Sequence, residues 1–116
     1  MNERRVVITG IGCVSPLGND LESTWQGLKE GRSGISTITQ LDPEQFDCRI
    51  AGEVKDFVAD PFFKVPKDAR RADRYVQFAV AASKMAVEDS GLDVSAVDPR
   101  RFGVMVGSGI GGLSTL

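Results

Sequence analysis

Histidine is absent from all 116 residues. No imidazole is available as a general base, so chemistry that needs one cannot be carried out by these residues alone. Cysteine is almost as scarce. Cys13 and Cys48 are the two in the chain, and they lack CxxC spacing. With no histidine and no cysteine pair, a metal site such as zinc has no ligand set. Nothing points to an oxidising compartment, so both thiols read as reduced, buried packing residues. Cys13 lies just past the first apolar run, but no histidine exists to generate its thiolate.

Long hydrophobic runs are missing too. Val6-Val7-Ile8 is stopped by Thr9-Gly10, and Phe78 to Ala82 is broken by Ser83 and Lys84. The first is too short for a signal-peptide core, and neither spans a membrane. The chain reads as cytoplasmic, with no membrane partner. An excess of one charge sign is also lacking: 14 basic and 16 acidic residues leave a net charge of −2. Such a balance argues against a general nucleic-acid binder. The composition is that of an ordinary soluble protein, and the length suffices for one domain.

The residues that are present suggest alternation of strands and helices. Arg4 to Gly10 carries consecutive β-branched residues and reads as a strand covered on both faces. Gly10 and Gly12 end it, and Pro16, Gly18 and Asn19 continue a turn. Asp20 then caps a helix whose Leu21, Trp25 and Leu28 share one face, with Gly31 as its stop. Residues 34–66 are less regular and are punctuated by Pro43, Pro61 and Pro66. Arg49 to Val54 reads as a short strand within them.

Asp68 to Ser90 is predicted as the longest helix. Its middle is apolar nearly all round, which predicts burial between layers. Ala79, Ala82, Ser83 and Ala86 would let a neighbouring element approach closely, and Gly91 ends the helix. Arg101 to Val106 is a further strand, followed by a glycine-rich turn and, from Leu113, the start of a helix. Together these elements predict an α/β layered sheet with right-handed crossovers. Leu116 falls within that last helix without a cap, so the sequence reads as part of something longer.

Two features could carry chemistry. Lys64, Lys67, Arg70, Arg71 and Arg74 place five cations against two acids in eleven residues. On one long helix they would lie at its N-terminus, with Glu88 and Asp89 at the far end. Both placements oppose the helix dipole. The cluster is either a solvated face with intrahelical ion pairs or a landing patch for an acidic partner or a phosphate.

The second feature is Gly107-Ser108-Gly109-Ile110-Gly111-Gly112, which is spelled like a dinucleotide-binding turn. The acid that would confirm the fingerprint lies beyond the chain, and the turn follows a later strand rather than the first. The turn at the first strand, Gly10-Ile11-Gly12, has Ser15 where a third glycine belongs. The glycines instead suit a pocket lining, because backbone can approach a ligand closely there.

These segments in sequence resemble the N-terminal portion of a β-ketoacyl-[acyl-carrier-protein] synthase, specifically the type II enzyme of bacterial fatty-acid synthesis. The resemblance is carried by Arg4 to Gly12, Ser15-Pro16-Leu17-Gly18-Asn19, Glu22-Ser23-Thr24-Trp25 and Gly31-x-Ser33-Gly34-Ile35. It continues through Ala51-Gly52-x-Val54-Lys55-Asp56-Phe57, Asp89-Ser90-Gly91-Leu92 and Gly107 to Leu113. It implies a thiolase-like layered fold (αβαβα), of which residues 1–116 would be the N-terminal part of the first half.

The resemblance also implies a homodimer and a decarboxylating Claisen condensation between an acyl thioester and malonyl-carrier protein. No metal or redox cofactor is needed for that reaction. The family's nucleophilic cysteine and both histidines fall later than Leu116. No catalytic residue is therefore expected in this segment, and alone it should be inactive. By the same resemblance Ile110, with Ser108 and Gly109, lines the acyl pocket at the dimer interface, where side-chain size helps to select the chain. Lys67, Arg70 and Arg71 match the patch that receives the acidic acyl carrier protein. Two alternatives are a non-catalytic relative like the chain-length factor of polyketide synthases, and a self-contained dinucleotide-binding module.

Overall fold

The computed structural model describes residues 3–112. Its elements run in the order α1 (Leu21–Lys29), β1 (Ile35–Thr37), β2 (Ile50–Gly52), α2 (Pro66–Arg71) and α3 (Arg74–Asp89). Short 3₁₀ turns lie at Pro43–Gln45, Asp60–Phe62, Val94–Ala96 and Pro99–Arg101.

The N-cap predicted for α1 is present. The Asp20 carboxylate accepts from the backbone N–H and the hydroxyl of Ser23, each at 2.7 Å. These bonds, the hydroxyl's first, hold its pKa below the ordinary aspartate value. Gly31 and Gly91 have φ of +64° and +60°, so glycine closes both α1 and α3. The buried face of α1 differs from the one expected. Thr24 and Gly27 are buried, while Trp25 and Leu28 are more than half exposed. The Thr24 hydroxyl lies 2.9 Å from that of Ser15 and donates to the Gly18 carbonyl. These bonds pin the preceding turn to the helix.

The long helix expected over 68–90 is two helices. Pro66 starts α2 at its first turn, where the missing N–H costs nothing. Ala72 is extended (φ −84°, ψ 136°), and Asp73 occupies the N-cap of α3. The sequence Ala72-Asp73-Arg74 is thus a stop and a restart within one periodic pattern. The apolar middle of α3 is also less covered than expected. Ala81 is fully buried, whereas Phe78, Ala79, Val80 and Ala82 around it are only half-buried.

The layered sheet with right-handed crossovers expected from the alternation is not seen among the described residues. Among the described residues the sheet has two antiparallel strands, pairing Ile35 with Gly52, Ser36 with Ala51 and Thr37 with Ile50. The strand expected over 49–54 is realised at its centre. Glu53 closes the hairpin by accepting from the N–H groups of Thr39 and Gln40. Those bonds, Thr39's first, hold its carboxyl below the ordinary glutamate value.

The apolar runs expected to be strands at 4–10 and 101–106 are not strands in this structure. Val6, Ile8, Val104 and Met105 are between 77% and 98% exposed. A strand needs a ladder partner, and neither run finds one among the described residues. The turn ending the first run, and the second run itself, nevertheless lie against α3. The Ile11 N–H donates to Asp89 at 2.9 Å. Val104 and Val106 line an apolar groove of about 380 Å³ with Tyr75, Val76, Ala79 and Val80. The small residues of α3 thus do admit a close neighbour, which is the backbone of Gly10 and Gly12.

The buried hydrophobic residues, Ala59, Ala69 and Ala81, are all small. The radius of gyration is 17.3 Å, against about 13 Å for a compact domain of this length. Too little apolar surface is shared for a core of large side chains. The two cysteines are free. Cys13 is half-buried, and Cys48 is exposed rather than buried as expected.

Candidate functional site

The cationic cluster is built on α2. Lys67, Arg70 and Arg71 are spaced by three and four and therefore share a face. All three are exposed, while Ala69 on the opposite face is 1% exposed. The break at Ala72 changes their electrostatics. Arg70 and Arg71 occupy the last turn of α2, where the helix dipole favours cations. The opposition to the dipole expected from one long helix therefore does not arise for them. The nearest acid recorded for Arg70 is Asp60, at 3.9 Å and well exposed, an attraction worth little in water. The face is left with a positive field.

Arg74, counted with the cluster in the sequence, is used differently. Its guanidinium sits 4.7 Å from the Phe78 ring centre and 5.3 Å from that of Phe57. It also donates to the Val54 carbonyl at 3.2 Å. Such stacking on aromatic faces suits a planar guanidinium. Phe57 in turn meets Phe78 edge-on and stacks on Phe62. Arg74 is therefore a structural cation, clamping the segment before α2 onto α3. Nothing in the 64–74 charge pattern separated it from its neighbours; the signal lay in Phe57 and Phe78.

Ser108, Gly109 and Ile110 are exposed, Ile110 by 79%. The Ser108 hydroxyl accepts from the Gly111 N–H at 3.0 Å, and Gly111 has φ +85°. This bond closes a small loop of its own. A dinucleotide site needs a paired strand before the turn and a helix behind it. The preceding run is unpaired, and the helix expected from Leu113 lies outside the described residues. Among the described residues no group of three or more potential metal ligands comes together. No helix among them is long and apolar enough to cross a membrane.

Residues 3–116 match the family described as the β-ketoacyl synthase N-terminal domain. The chain is 47% identical over all 116 residues to 3-oxoacyl-[acyl-carrier-protein] synthase 2 of Synechocystis sp., covering 28% of that protein. Over 114 residues it is 48% identical to the synthase of the same description from Coxiella burnetii, covering 27% of it. Its structure is similar to one described as the ishigamide ketosynthase/chain length factor. That match has a TM-score of 0.67 and 46% identity, covering 77% of this chain and 22% of the other. The chain thus spans little more than a quarter of the length of the curated relatives it matches. With the family pattern running from residue 3 to residue 116, this chain belongs to the β-ketoacyl synthase family and matches its N-terminal domain.

Proposed function

We propose that the whole protein is a 3-oxoacyl-[acyl-carrier-protein] synthase of fatty-acid elongation, working in the cytoplasm as a homodimer. Residues 1–116 would be the N-terminal part of the first half of its thiolase-like, layered domain. The observation that carries this reading is the agreement with synthases of that description along the entire chain.

The reaction needs three groups that this segment lacks, a nucleophilic cysteine and two histidines. The acyl group passes from the carrier's thioester to the cysteine sulfur, releasing the carrier thiol. Malonyl-carrier protein then loses CO₂, and the carbanion left behind attacks the acyl-enzyme carbonyl. The cysteine thiolate departs, leaving a 3-oxoacyl-carrier two carbons longer. Within this scheme Lys67, Arg70 and Arg71 receive the acidic carrier, by charge complementarity. Ile110, with Ser108 and Gly109 beside it, faces the acyl chain once the rest of the protein encloses the glycine turn.

The test is a condensation assay of the full-length protein with acyl- and malonyl-loaded carrier. Formation of 3-oxoacyl-carrier with release of CO₂ is the expected result. One observation supports a second reading. The solved relative is described as a ketosynthase/chain length factor. A protein that binds the carrier but condenses nothing, and takes no acyl label on cysteine, would be the non-catalytic partner instead.

A further inference from the structure

Helix α2 has six residues, too few to hold together by its own hydrogen bonds. Its terminal carbonyls need outside partners. The Ala72 N–H reaches the Asp68 and Ala69 carbonyls at 3.1 and 3.2 Å. A side chain from the next helix adds two more bonds. Gln77 donates through Nε2 to the Ala69 carbonyl at 2.8 Å and to the Ala72 carbonyl at 3.1 Å. Its Oε1 accepts from Arg74 Nη1 at 3.4 Å. Reversing the amide would turn its oxygen toward two carbonyls and its NH₂ toward a guanidinium, leaving no donor opposite an acceptor. The orientation is thus set from both sides. Arg74 is itself held by Phe57, Phe78 and the Val54 carbonyl.

This relay joins α2 to α3 at the end of α2 that carries Arg70 and Arg71. Ala69, whose carbonyl takes the shortest of these bonds, is the buried residue opposite the cationic face. We infer that Gln77 is a positioning residue for carrier capture. It fixes the angle at which α2 presents Lys67, Arg70 and Arg71, and Arg74 keeps its amide in the working orientation. The inference rests on the reading of that face as the carrier site. Gln77 touches neither carrier nor substrate, and it contributes no charge.

The experiment uses the full-length protein and compares Q77M, R74K and R70E. Q77M keeps volume and net charge but removes both donors, and R74K keeps charge but loses the fork. The readouts are affinity for the acyl-loaded carrier and the KM-against-kcat split with the carrier. The same split with a carrier-free acyl thioester completes the set. Loss of two neutral hydrogen bonds predicts a rise in carrier Kd and KM of about fivefold to tenfold for Q77M. R74K should move in the same direction by less, with the carrier-free KM steady in both. A carrier Kd within twofold of wild type in both Q77M and R74K overturns the inference. So does an equal loss with the carrier-free thioester, which marks general damage. R70E separates the two layers. If it leaves carrier affinity unchanged, the patch reading is wrong. If it weakens the carrier while Q77M and R74K do not, the positioning role alone fails.

Discussion

Gly12 lies so close to α3 that a Cβ on it would overlap the Ala82 carbonyl oxygen and stand 2.7 Å from the Ala86 N. Gly10 meets the same helix one turn later, where a Cβ would fall 2.6 Å from the Ser90 N. The Gly10–Gly12 turn that follows the first apolar run is thereby laid along the small-residue face of α3, and the Ile11–Asp89 hydrogen bond fastens it.

A side chain at position 12 must therefore displace backbone, which cannot yield as a flexible side chain would. Gly12→Ala in the full-length protein is expected to cost about 1–3 kcal/mol. Thermal or denaturant unfolding measures it. A change within about 0.5 kcal/mol, typical of an open surface site, would show that this contact does not persist.

The cap of α1 gives a prediction with a pH sign. The Asp20 carboxyl is held below its ordinary value of 3.8 by the Ser23 hydroxyl and N–H. Its contribution is complete above pH 3.8 and is lost as pH falls through the depressed value. Asp20→Ala should cost about 1 kcal/mol near neutrality. Asp20→Asn, an equally good cap, should cost little there and should flatten the acid limb of a stability–pH curve.

Asp56 has φ of 54°, where an L side chain is strained. It follows Lys55, whose Nζ donates to the Ser36 hydroxyl at 2.9 Å, so the loop is tied down around it. Asp56→Gly should be neutral or slightly stabilising, because glycine adopts this backbone freely. Asp56→Val should cost about 1–2 kcal/mol, as a β-branched residue in the left-handed region. Paired melting curves decide it: equal values for Gly and Val would show that the strain is absent.

The cationic face should respond to charge rather than to volume. The double reversal Arg70→Glu with Arg71→Glu is expected to weaken carrier binding by about tenfold or more at low salt. The dependence on salt should shrink along with it. Titrations of carrier at two ionic strengths test both. Unchanged affinity would remove α2 as the landing site.

Ile110 is 79% exposed, so enlarging it disturbs little packing within this chain. Ile110→Trp should raise KM for long acyl groups more than for short ones in the full-length enzyme, if the glycine turn shapes the pocket. An equal rise for both lengths would place the residue elsewhere.

Much of the local structure was legible in the residues. Asp20 as a cap, and Gly31 and Gly91 as stops, depend on chemistry within one turn of chain. So does the exposed spacing of Lys67, Arg70 and Arg71. Family membership was legible as well, because the pattern runs the length of the chain in order. What periodicity could not show was the break at Ala72-Asp73. An amphipathic pattern continues across it, and the break shows only in the extended backbone of Ala72.

The tertiary structure alone decided which apolar runs become strands. Val6-Val7-Ile8 and Val104-Met105-Val106 have strand composition, yet a strand is a property of a pair, and neither is paired among the described residues. It also decided the work of Arg74 and Gln77. In the sequence Arg74 looks like one more cation of the cluster, and Gln77 like an ordinary polar position. Their roles arise because Phe57 is brought to Arg74 from earlier in the chain and the break at Ala72 turns the end of α2 toward Gln77.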